Sequence, residues 1–205
     1  MIIEEWRIKN KVTMSKMFFK FRSYTPIPFL IIMVIFANPN VISLIVGFTI
    51  ALLGESIRFL GVSWAGSETR TTAATGGTYL IISGPFGYVR NPLYWGNILL
   101  YFGIGIMSWA LVPYLQITAL IFFAVQYYFI VYEEEKYLKR VFGAEYDDYC
   151  KHVSSFFPRL TMYKNDKVKQ PPYNPKAGLK SEKRTLQAFF GISIVIVIIW
   201  IIKNL

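Results

Sequence analysis

Two short stretches hold the residues best suited to chemistry. In the first, Arg90-Asn91-Pro92-Leu93-Tyr94-Trp95-Gly96, a guanidinium, an amide and a phenol stand where a long apolar run begins. Pro92 suits the first position of a helix, where its missing N–H costs nothing, and Asn91 suits the cap before it. A helix start of this kind offers N–H groups to an anion, with Arg90 beside them. An ordinary helix start accounts for the same residues: Tyr94 and Trp95 in an interfacial aromatic belt, Arg90 snorkelling to water. The second stretch, residues 132–160, opens on Glu133, Glu134 and Glu135 where another apolar run ends. A solvated amphipathic helix is its plain explanation. Three acids beside anionic headgroups are better explained by a cationic or hydroxyl-bearing ligand.

The apolar runs that would position these groups dominate the composition. Of 205 residues 54% are hydrophobic and 18% aromatic, and the mean hydropathy is +0.40, which points to a membrane protein. A membrane helix needs about 20 mostly apolar residues. Residues 41–62, 93–109, 112–132 and 186–202 come near that, and 28–37 is a shorter run ending in the breaker "NPN". We therefore expect an all-α, polytopic membrane helix bundle of about five spans. Its parts are an N-terminal hairpin (1–62), a core carrying both motifs (63–160), a Pro-rich linker (161–185) and a C-terminal span (186–205). The first 22 residues lack the apolar core and cleavage site of a signal peptide.

Charge supplies the orientation. Alternating spans place residues 1–26, 63–92 and 133–185 on one side, and nearly all of the 22 Lys and Arg residues fall there. The positive-inside rule makes that side cytosolic, together with the N-terminus and both motifs. The net charge of +10 then reflects a basic surface facing anionic headgroups, and no nucleic-acid-binding pattern accompanies it. One cysteine, Cys150, and one histidine, His152, exclude a disulfide within the chain and a Cys- or His-rich metal site.

Together the two motifs resemble those of one family. R-H-P-x-Y-x-G, an apolar hairpin, then E-E-x-x-L, F-G-x-x-Y-x-x-Y and a nearby proline mark the integral-membrane methyltransferases. These include isoprenylcysteine carboxyl methyltransferase and the phospholipid N-methyltransferases. Gly84, Arg90, Pro92, Tyr94, Gly96, Glu134, Glu135, Leu138, Phe142, Gly143, Tyr146, Tyr149 and Pro158 carry the resemblance, which covers roughly residues 76–160. It implies an enzyme that binds S-adenosylmethionine in a cytosolic pocket and methylates a lipid or amphiphile at the membrane. Carried across, Thr78, Tyr79, Leu80, Ile81 and Phe86 would line the nucleoside pocket. Arg90, Asn91, Pro92 and Tyr94 would hold the methionine end, and Glu134 a cofactor amine or hydroxyl. Tyr94 and Glu134 are also the catalytic candidates.

This sequence departs from the family pattern twice. Asn91 replaces the family histidine, so it can hydrogen-bond but cannot ionise. The stretch Tyr127-Tyr128-Phe129-Ile130 lacks the arginine that in carboxyl methyltransferases meets the substrate carboxylate. That turns the expectation from a carboxylate toward neutral, amine or thiol acceptors. Two other functions stay open: an NADPH-dependent membrane reductase related to sterol reductases, and a non-catalytic scaffold. No G-x-G-x-x-G follows a strand, which excludes a soluble Rossmann methyltransferase. Gly103 and Gly105 read as helix packing. Glu55 and Arg58, one turn apart inside an apolar run, read as a pair facing the bundle, and His152 as an exposed side chain.

Overall fold

The computed structural model describes residues 14–66 and 79–205, and their regular structure is helical. Thr78 lies outside the described residues. Helices α1 (Met14–Phe21) and α2 (Pro26–Ile35) meet at a bend of 55°. Then come α3 (Val41–Ala65), a 3-10 turn (Gly84–Gly87), α4 (Pro92–Ser108), α5 (Tyr114–Phe142), α6 (Ala144–His152) and α7 (Pro175–Asn204). Asn40 starts α3 with a capping box: its side chain accepts from the Ser43 N–H, and Ser43 Oγ accepts from the Asn40 N–H, both at 2.9 Å.

Long helices run the full depth of the bundle in alternating directions. Gly61 of α3 meets Leu93 at the start of α4, and Ser43 Oγ donates to the Met107 carbonyl near its end. Helix α5 returns, with Gln116 donating to the Gly105 carbonyl at one end and Glu134 beside Tyr94 at the other. Helix α7 lies antiparallel to α3, from the Asn174 N–H on the Ser63 carbonyl to Lys203 on the Ala37 carbonyl. Helices α3 and α4 approach most closely. A Cβ on Gly54 would stand 2.6 Å from the Gly96 carbonyl oxygen, so only glycine permits that backbone contact. Gly103 packs against Gly47 and Ala51 in the same seam, in keeping with the packing role read from the sequence.

The core is apolar inside and out, as expected where lipid replaces water. Met33, Leu100, Ile104, Met107, Phe189 and Ile196 are buried together, whereas Ile42, Leu53, Ile121, Ile194 and Ile202 face outward. By length and composition α3, α5 and α7 can each cross a membrane, and the bent pair α1 and α2 makes a fourth span if counted as one. The fifth expected span is α4, whose 17 residues rise about 25 Å, short of the roughly 30 Å of hydrocarbon. Two elements run further than their apolar residues indicate. Helix α5 continues unbroken through the three acids to Phe142. Helix α7 starts at Pro175, inside the stretch read as linker.

Candidate functional site

The loop from Tyr79 to Asn91 is positioned by residues far along the chain. Gln170 accepts from the backbone N–H groups of Ile82 and Ser83 at 2.9 and 3.2 Å, and donates to the Leu80 carbonyl at 2.7 Å. Tyr149 hydroxyl donates to the Phe86 carbonyl at 2.6 Å. Gly84, at φ +60, turns the chain against the Trp64 ring, where a side chain would collide.

Arg90 and Asn91 are both engaged by the segment that follows α5. Arg90 Nε and Nη2 donate to Glu135 Oε1 at 3.1 and 2.8 Å, while Nη1 donates to the Val153 carbonyl at 2.6 Å. Burial works against the Arg90 charge, but Glu135 outweighs it and holds the guanidinium pKa above its ordinary value. The Asn91 amide donates to the Ser155 carbonyl and hydroxyl at 3.2 and 3.0 Å, and Ser155 donates to Glu135 at 2.8 Å. Asn91 makes no side-chain cap on α4. Its amide is spent sideways, so the helix start above Tyr94 keeps the uncapped N–H groups that every α-helix begins with.

Beside that helix start lies a cavity of about 540 Å³, lined by Tyr79, Leu80, Ile81, Phe86, Arg90, Asn91, Pro92, Tyr94 and Glu134 among others. Every described residue singled out from the sequence for cofactor binding borders this one space. Tyr94 hydroxyl donates to Glu134 Oε1 at 2.7 Å, and the Tyr94 ring packs on Tyr127 at 4.7 Å between centroids. Successive acids on α5 point to different places, as a helix requires. Glu134 faces the cavity, Glu135 holds Arg90, and Glu133 is not among the lining residues.

A model of the family described as phospholipid methyltransferase matches residues 33–145. The chain belongs to that family. It is also 30% identical over 125 residues to the cobalt-zinc-cadmium resistance protein CzcN of Cupriavidus metallidurans, covering 58% of this chain and 52% of that protein. The nickel-cobalt-cadmium resistance protein NccN of Alcaligenes xylosoxydans xylosoxydans is 29% identical over 118 residues, covering 58% and 53% respectively. The chain thus spans about half the length of the curated relatives it matches. No solved structure matches it.

As a member of the family the chain brings further residues to the cavity that its motifs do not reveal. Arg22, Arg58, Asn97, Tyr101, Tyr127, Ser181, Glu182 and Thr185 line it too. Arg58 pairs across helices with Glu182 at 2.6 Å and donates to Asn97. The expected partner, Glu55, stands further off at 3.6 Å. Glu182 outcompetes it because α7 packs directly on α3 and aims the carboxylate at the guanidinium. The sequence does carry a sign of this: Gly178, Glu182, Phe189, Ser193 and Ile196 are the buried positions of α7, spaced as one helical face. His152 is half exposed, stacked on Tyr163 and near Asp148.

Proposed function

We propose that the protein is an S-adenosylmethionine-dependent methyltransferase acting on a lipid or amphiphilic acceptor at the membrane interface. One observation carries this: the residues matching both halves of the family motif, 45 positions apart at Arg90 and Glu135, are bonded together beside a single cavity. Its 540 Å³ lies within the roughly 300–1,000 Å³ of small-molecule sites.

The lining chemistry fits the cofactor. Tyr79, Leu80, Ile81 and Phe86 offer an apolar wall to a purine. Arg90 fixes the loop while the α4 start, with Asn91, Pro92 and Tyr94, meets an amino-acid carboxylate. Glu134 meets an ammonium or hydroxyl. The buried Tyr146 hydroxyl also borders the cavity with no hydrogen bond of its own beyond the weakly interacting Cys150 thiol, leaving a polar group for a ligand to satisfy. When bound, S-adenosylmethionine supplies an electrophilic methyl group on a sulfonium.

The protein's own part is alignment and exclusion of water, which can account for about 7–11 kcal/mol of barrier reduction. Tyr94 and Glu134 are the catalytic candidates. An N–H, O–H or S–H acceptor sheds a proton, and we assign its receipt to Glu134, whose Oε1 accepts from the Tyr94 hydroxyl at 2.7 Å. Asn91 orients and does not ionise. We read the site as cytosolic and the chain as crossing about five times, because α4 spans the same depth of the bundle as α3 and the positive charge lies on the site's side.

The test is ligand-induced stabilisation of detergent-purified protein. S-adenosylhomocysteine should raise the melting temperature and NADPH should not, as for a ligand that binds only the folded state. A shift with NADPH alone would replace this function with the reductase. The reductase has less support in the cavity, since Arg58 and Arg90 are already bonded to Glu182 and Glu135 and leave little for an additional phosphate.

A further inference from the structure

We infer that Phe157 and Leu160 form a membrane anchor, seating the loop after α6 in the lipid leaflet on the site's side of the bundle. The inference stands on the apolar helices of the bundle and does not depend on the methyltransferase function proposed above. The first ground is exposure on a fixed loop. Phe157 is 80% exposed and Leu160 99%, so no described residue covers them. Yet the loop is fastened on both sides of Phe157. The Ser154 carbonyl accepts from the Arg90 N–H, and the Arg159 N–H donates to the Tyr88 carbonyl, both at 2.9 Å. Ser154 Oγ accepts from the Phe157 N–H at 3.2 Å, and Pro158 stiffens the tip. Apolar side chains held outward by a bonded loop mark a contact surface.

The second ground is level. Val41 and Ile42, at the start of α3, are apolar and exposed, as side chains facing lipid are. A hydrocarbon layer of about 30 Å counted from there ends about 20 residues along the helix, at Gly61. Gly61 packs on Leu93, so the start of α4 stands at the edge of that layer. The Phe156 carbonyl accepts from Trp95 Nε1 at 2.6 Å, which ties the loop to the first turn of α4 and therefore to the same level.

The third ground is the chemistry around the pair. At a membrane boundary an indole N–H ordinarily reaches toward headgroups or water. Trp95 gives its N–H to the loop instead, so the loop stands where headgroups would. Tyr88, bonded to the same loop through Arg159, is itself exposed and adds an aromatic ring suited to the interface. Arg159 lies between the two apolar side chains in sequence but folds its guanidinium back, donating to the His152 carbonyl at 3.1 Å and to Thr161 Oγ at 3.4 Å. The tip is left apolar and the charge stays behind it, the arrangement by which basic side chains sit at a lipid surface. A leaflet accepts such a tip because it offers acyl chains to Phe157 and Leu160 and anionic headgroups to Arg159.

The test uses the full chain in nanodiscs of phosphatidylcholine and phosphatidylglycerol, with Cys150→Ser as background. Single cysteines are placed by Phe157→Cys and Leu160→Cys, both at exposed positions where the fold tolerates change. Glu145→Cys is the reference, because Glu145 is exposed on α6, beyond the end of α5 and about 12 Å past the level of Glu134. A charged, water-soluble thiosulfonate should modify the cysteines at 157 and 160 at least tenfold more slowly than the one at 145. With an environment-sensitive fluorophore on each cysteine, lipids carrying a nitroxide near the headgroup end of the acyl chain should quench 157 and 160 severalfold more than 145. Modification as fast as at 145 would place the tip in water and overturn the inference. Slow modification without quenching by lipid would overturn it as well, because the pair would then be covered by protein.

Discussion

The Tyr94 hydroxyl and the Glu134 carboxylate meet at 2.7 Å, tying the first turn of α4 to the last turns of α5 across the mouth of the cavity. The two residues are 40 positions apart, and each is placed by its own helix. Their contact gives this end of the cavity a defined polar site.

Glu134→Gln should weaken S-adenosylhomocysteine binding about tenfold to hundredfold, the cost of one charge-assisted hydrogen bond, without loss of expression. Glu133→Gln, outside the cavity lining, should leave the affinity unchanged. Isothermal titration on both variants checks this. Equal losses would mean general electrostatics, and no loss in either would move the cofactor away from Glu134.

Arg90→Ala should destabilise the fold by about 1.5–3 kcal/mol, because Glu135 and the Val153 carbonyl lose a charged partner. Arg90→Lys should recover only part of this, since an ammonium cannot reproduce the forked contact. Chemical denaturation in detergent reads both. Full recovery by lysine would show that charge alone matters there.

Gly54→Leu should cost about 1–3 kcal/mol or abolish assembly, because the new side chain would enter the backbone contact with Gly96. Gly191→Leu, where nothing lies within 4 Å, is the matched control. Thermal melts that rank the two equally would contradict the close α3–α4 seam.

The Cys150 thiol should alkylate slowly at neutral pH. Burial raises its pKa above the ordinary thiol value, with Arg90 opposing the shift less strongly. A raised pKa keeps the unreactive protonated form, so the rate should climb only as pH passes above the usual thiol range. Iodoacetamide rates between pH 7 and 10, compared with a free thiol about 8.5 in pKa, read this directly. The same slow background, removed by Cys150→Ser, suits single-cysteine topology mapping. Labels at Lys16 and Lys164 should report one side and a label at Leu205 the other.

The Tyr94–Glu134 end of the cavity is legible in the sequence because its residues sit in two compact motifs. Their partners are less so: Arg90, expected beside the cofactor, is held instead by Glu135 from within α5. The Arg58–Glu182 end is harder to read. Arg58 has an acid one turn away, Glu55, that satisfies local spacing, whereas its closer partner Glu182 lies 124 positions on, among lysines that resemble a solvated face. Nothing local says that α7 docks on α3. The span count is similarly ambiguous, because α4 gains its depth from packing along α3 and not from its own apolar length. Asn91 reads as a cap from its position before Pro92, yet Ser155 captures its amide from another segment.

Gln170 holding Leu80, Ile82 and Ser83 has a consequence for how the protein is made. The loop that borders the cavity emerges from the ribosome some ninety residues before the side chain that fixes it, and Arg58 waits longer still for Glu182. A nascent chain released after its second motif would already contain every family-matched residue and yet have neither wall in place. Such long-range closure is slow relative to local helix formation. Both walls of the cavity therefore close only after Gln170 and Glu182 have been synthesised, well after the residues they hold in place.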